Sequence, residues 1–126
     1  MTALEFYRKV RDRLGLADIE EAETATRSVL AALADRITDD EANDLASQLP
    51  TELGDFIRRR TGPPQEMDMD TFVSRIQSDL DLEEWQHAAN VTRGVFSVLK
   101  EAVSEGEWRD VVSQLPAELQ DMFVRA

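Results

Sequence analysis

No cysteine occurs in the chain, which removes disulfides, thiolate metal sites and cysteine nucleophiles together and leaves nothing that calls for an oxidising compartment. Histidine is nearly as scarce. His87 is the only one, and no serine stands with it and a carboxylate in a hydrolytic arrangement. The five glycines are scattered rather than gathered into a loop ahead of a helix, so a nucleotide-binding reading lacks its phosphate cradle. No apolar stretch approaches the ~20 residues of a membrane span. Met1-Thr2-Ala3-Leu4-Glu5 leads directly into an amphipathic pattern, without the basic stretch and apolar run of an export signal. The cytoplasm is therefore the expected location, with no membrane partner and no cofactor.

Lysine is reduced to Lys9 and Lys100, so 12 of the 14 basic residues are arginine, against 26 carboxylates and a net charge of −12. Such a surface repels phosphate backbones, and no nucleic-acid partner is expected. The bias fits a salt-adapted proteome, in which screening within about 3 Å at 1 M makes acidity inexpensive. It fits equally an acidic protein from a GC-rich genome, which also favours arginine. With 42% hydrophobic and 32% charged residues the composition is globular.

The dominant feature is an internal repeat: residues 2–60 overlay residues 68–126 at a constant offset of 66, without a gap. Phe6 falls on Phe72, Leu14 and Leu16 on Leu80 and Leu82, Ala22 on Ala88, and Thr26-Arg27 on Thr92-Arg93. Ser47-Gln48-Leu49-Pro50 recurs letter for letter as Ser113-Gln114-Leu115-Pro116. The chain thus divides into a first repeat (1–60), a linker (61–67) carrying Pro63-Pro64, and a second repeat (68–126).

Each repeat reads as four helices. Thr2 and Glu5 form a capping box, with Asp68 in place of Thr2 in the second repeat, and Phe6, Val10 and Leu14 share one face of a first helix. A second, longer helix opens near Asp18 and runs to about Asp35, with Ala22, Thr26, Val29, Leu30 and Leu33 as its inward stripe. Thr38 with Glu41, and Ser104 with Glu107, read as further capping boxes that engage both glutamates at the start of a third helix. Pro50 ends that helix and opens a short fourth one. The expected fold is all-α: two tandem copies of a four-helix unit packed as a pseudo-twofold helical bundle, since units near sixty residues shield only about 60% of their unfolded surface alone.

The Phe-led helix, the Leu14-Gly15-Leu16 turn, the Ala22-led helix with Arg27, Val29-Leu30 and Leu33, then Glu41, Leu45 and Gln48-Leu49-Pro50, each with a second-repeat counterpart, resemble the domain of unknown function 2267 family. The resemblance spans nearly the whole chain and implies the helical fold. It supplies no catalytic residue. Asp81 stands where Gly15 does, a position at which glycine favours a left-handed turn.

Of the remaining polar residues, Arg27 and Arg93 lie a quarter-turn beyond the apolar stripe, and Glu52 and Glu118 flank the fourth helices. These are expected to form two structural latches, Arg27–Glu52 and Arg93–Glu118. Asp44 and Asp55 are expected to point outward. The rival reading makes Arg27 and Arg93 a twofold anion site. Arg58-Arg59-Arg60 is the one basic cluster, a possible interaction site that also suits the dipole at a helix C-terminus. Asp79-Leu80-Asp81-Leu82-Glu83-Glu84 imitates the opening of a calcium loop, but lacks the glycine required at Glu84 and the glutamate required at Asn90. His87 reads as a solvated side chain, while Trp85 and Trp108, in place of Ile19 and Ala42, read as enlargements of the second core. No catalytic, cofactor or metal residue is expected. The leading functional expectation is a small non-enzymatic protein-interaction or accessory module. The alternatives are an acidic regulator that mimics nucleic acid, and small-ligand binding in the cleft between repeats.

Overall fold

The computed structural model describes residues 1–58 and 63–124, the side chains of 123 and 124 excepted. Eight helices make up the regular structure of these residues: α1 (Ala3–Leu14), α2 (Ile19–Arg36), α3 (Asp39–Ser47), α4 (Thr51–Arg58), α5 (Met69–Asp79), α6 (Trp85–Ala102), α7 (Glu105–Ser113) and α8 (Ala117–Val124). The fold is all-α. The bounds of α2, α3 and α4 reappear in α6, α7 and α8 at the offset of 66.

Local chemistry accounts for the boundaries. Thr2, Asp18, Thr38, Asp68 and Ser104 each accept a hydrogen bond from the backbone N–H three residues on, which fixes the starts of α1, α2, α3, α5 and α7. Gly15 ends α1 in the left-handed region at φ 65°, and Asp81 keeps that conformation at φ 53°. Aspartate tolerates it better than most residues, so the turn survives the loss of its glycine.

Helices of the two halves pack across one another: α1 on α6, α2 on both α5 and α6, and α3 on α7. Phe6, Val29, Leu30 and Leu33 join Phe72, Val95, Phe96 and Leu99 in one hydrophobic cluster. Each such side chain contributes about 1.5–3 kcal/mol on full burial, which is where most of the stability resides. The end of α1 settles directly on α6, because Leu14 occupies the place a Cβ at Gly94 would take, 2.5 Å from its Cδ2. Ion pairs join the same elements. Lys9 of α1 pairs with Glu101 of α6 at 3.3 Å, where Arg13 also binds, and Arg75 of α5 pairs with Asp35 of α2 at 2.6 Å. Lys9 and Arg75 are counterparts in the repeat, as are Asp35 and Glu101. In the linker, Gln65 donates its N–H to Asp35 O at 2.7 Å and Met67 is buried.

Candidate functional site: a groove and an acidic seam

Among the described residues, two places where the halves meet carry unusual polar or open features, and they lie at opposite ends of α2, whose 18 residues span about 27 Å. At its start, the Leu16 and Leu82 turns face each other across an open groove of about 390 Å³. Leu16, Ala25, Leu80, Leu82 and Val91 supply its apolar surface; Asp18, Glu20, Glu21 and His87 form a polar rim. Leu16 and Leu82, Glu21 and His87, and Ala25 and Val91 are counterparts at the offset of 66, so equivalent positions of the two halves meet here. The turn chemistry holds the rim in place. Glu21 donates its N–H to Asp18 Oδ1 at 2.9 Å, and its own carboxylate accepts from the Ala17 N–H at 3.0 Å. His87 is exposed, as its place opposite the apolar stripe predicts.

At the other end α3 packs on α7. Gln114 accepts from the Thr38 N–H at 2.8 Å and donates to Thr38 Oγ1 at 3.3 Å. Gln48 does the same to Ser104, at 2.7 and 3.2 Å. Each glutamine therefore caps the helix of the opposite half, which explains why the Ser-Gln-Leu-Pro letters recur. It also revises the expected capping boxes. Thr38 and Ser104 do accept from the Glu41 and Glu107 backbones at 3.2 Å, but the N-cap N–H groups that the glutamate side chains would bind are taken by the crossing glutamines. Glu41 and Glu107 consequently lie buried in the seam, 8% and 6% exposed, and Oε2 of each makes no hydrogen bond. Burial first, then the facing Glu41 carboxylate, then the charges of Asp44 and Asp110, push the Glu107 carboxyl well above the usual carboxylate range.

The expected latches take a different form. Arg27 pairs with Glu23, one turn back on its own helix, at 3.2 Å and not with Glu52. Its guanidinium lies 5.3 Å from the centre of the Phe56 ring, so α2 and α4 are joined by a cation–π contact. Glu52 instead lies beside the buried Tyr7 hydroxyl, whose pKa is raised by burial first and then by the Glu52 and Glu23 charges. Arg93 donates to Asn90 Oδ1 at 3.2 Å, with no ion pair to Glu118 among the described residues. Its counterpart of Phe56 is Met122, which offers no ring. The two arginines do not line the groove. Arg58 is exposed in the last turn of α4, while Arg59 and Arg60 lie outside the described residues. Trp108 is buried with the Lys100 ammonium 6.0 Å from its ring centre, and Trp85 is partly buried against the core.

Among the described residues no helix is long and apolar enough to cross a membrane. A sequence model of the family described as Uncharacterized conserved protein (DUF2267) matches residues 4–122. No curated protein matches the chain.

Proposed function

We propose that this chain, which belongs to the DUF2267 family, is a non-enzymatic cytoplasmic interaction module whose groove receives a short cationic amphipathic helix of a partner protein. The observation that carries this reading is the groove itself: an apolar floor of leucines, alanine and valine beneath a rim of Asp18, Glu20 and Glu21, on a molecule of net charge −12. An amphipathic helix fills such a groove with its apolar side chains at helical spacing, and its flanking lysines or arginines meet the acidic rim. The charge speeds encounter and the apolar contacts set the residence time. The packing of α1 and α2 on α5 and α6 supports the same reading, because a groove lined from both sides of the linker exists only when these helices are packed together; we read that packing as a pseudo-twofold pairing of two copies of one helical unit. The repeated ion pairs Lys9–Glu101 and Arg75–Asp35 and the crossing glutamine caps are what such an arrangement calls for.

The test is a fluorescence-anisotropy titration with a labelled Leu/Lys peptide about four helical turns long, at ~0.15 M salt. The expected result is saturable binding that weakens roughly tenfold or more, about 1.4 kcal/mol, in Leu82→Arg. A peptide with its leucines changed to serine should bind far more weakly. Equal binding of the serine peptide would favour the nucleic-acid mimic, for which charge alone suffices. Binding indifferent to Leu82→Arg would remove the groove from the account.

A further inference from the structure

The α3–α7 seam holds two carboxylates that no basic side chain among the described residues neutralises. Glu41 and Glu107 are more than nine-tenths buried and form no ion pair with any lysine or arginine among the described residues, and each keeps an Oε2 without a hydrogen-bond partner. Burying an anion without a counter-charge is strongly unfavourable, so the seam requires a positive species. Asp44, one turn along α3 and exposed, brings a third carboxylate. One oxygen from each of Glu41, Asp44 and Glu107 lies within 4.8 Å of the others.

We propose that Glu41, Asp44 and Glu107 bind one hard divalent cation, with calcium the ion of best fit. The donor set is all oxygen, which selects calcium, magnesium or manganese over the softer metals that prefer imidazole or thiolate. Calcium–oxygen bonds of about 2.3–2.6 Å place opposite ligands up to about 5 Å apart, a separation that contains the observed spread. Magnesium at about 2.0–2.1 Å would require the two helices to draw together or water to fill the difference. The buried pair supplies the fixed part of the site. Asp44 supplies the solvent-facing part and the route of entry, and Asp110, its counterpart on α7, adds a further negative charge nearby. The crossing glutamines are what free both glutamates for this role, because they occupy the N–H groups that would otherwise draw the carboxylates back to their own helix starts. The competing occupant is a proton, held at the pair by the same burial and repulsion that raise the Glu107 carboxyl.

The deciding experiment is isothermal titration of calcium chloride into the chelator-stripped full chain, at ~0.15 M potassium chloride to screen the general acidity. The expected result is saturable one-to-one binding with a dissociation constant below about 1 mM, tighter for calcium than for magnesium chloride. Glu107→Gln and Asp44→Asn should each weaken it at least tenfold, and Asp12→Asn, on the exposed face of α1, should leave it unchanged. Asp44 is exposed, so its variant keeps the test decisive if Glu107→Gln fails to fold, as circular dichroism reports. No saturable binding, or binding that Asp44→Asn leaves intact, would overturn the site and leave a shared proton in the seam. Magnesium binding as tightly as calcium would overturn the choice of ion.

Discussion

At Arg27 a guanidinium bridges two helices without a carboxylate on the second. Its charge is met by Glu23 of its own helix and its flat face by Phe56 of α4. An exposed i,i+4 pair contributes about 0.3–0.5 kcal/mol and an exposed cation–π contact about 0.5–1. Denaturation midpoints in a double-mutant cycle of Arg27→Ala with Phe56→Leu should therefore show a coupling of about 0.5–1 kcal/mol. The same cycle with Glu52→Gln should show close to none, and a large coupling there would restore the direct latch. The position of Arg27 on the flank of the second helix was legible from the 3.6-residue period. Its partner was not, because two carboxylates lay within reach and the choice depends on how α4 crosses α2. Phe56 is an ordinary apolar residue of α4, and nothing in its sequence context signals that its ring face would be shared with a cation.

The helix starts are the elements most fully written in the sequence: Thr2, Asp18, Thr38 and Ser104 act as caps where the motifs place them, and Pro50 separates α3 from α4 as expected. What the motifs could not disclose is that the capping boxes at Thr38 and Ser104 close from the opposite half. A capping box is a local pattern, and Gln114 and Gln48 compete for it from 76 and 56 residues away. The one available signal was the letter-for-letter recurrence of a polar glutamine where helix packing needs only apolar residues. Gln48→Ala and Gln114→Ala should each lower stability by about 1 kcal/mol in chemical denaturation, the usual worth of an N-cap bond. No loss in either variant would mean that the glutamates return to complete their own boxes. Between α1 and α6, Glu101 makes a pH-dependent tie. Its burial alone would raise the pKa, but hydrogen bonds from Arg13 and Lys9, together with their charges, lower it below the ordinary glutamate value. A carboxylate with a depressed folded pKa adds stability above its unfolded pKa and loses it as pH falls through the folded one. Melting temperature followed from about pH 7 to about pH 3 should therefore fall less steeply in Glu101→Gln than in the wild type. Parallel curves would assign the acid sensitivity elsewhere.

For the whole molecule, the all-helical class and the succession of helices followed from periodicity, caps and the repeat, and the packing of both halves into one core followed from how little a sixty-residue unit can bury alone. A cleft between the repeats was expected, but the residues that line the groove, and the seam as a whole, were not legible. Both arise where residues far apart in sequence meet, and Leu16, Leu82, Glu41 and Glu107 each carry an ordinary local role that masks the shared one. Net charge acts at this scale too. Repulsion among 26 carboxylates offset by 14 cations should be relieved by screening, so melting temperature should rise from about 0.05 to about 2 M potassium chloride. A flat profile would show that local ion pairs already balance the surface.

The claim that the two halves together form a receptor for a cationic amphipathic helix is tested most directly by nuclear magnetic resonance, with the Leu/Lys peptide titrated into ¹⁵N-labelled protein. Binding in the groove predicts saturable amide shifts concentrated at Leu16, Ala25, Leu82 and Val91, contributed by both halves, with the distant α3–α7 seam little changed. Small, non-saturating shifts spread over exposed acidic residues such as Asp12, Asp70 and Asp110, with the groove amides unmoved, would contradict it.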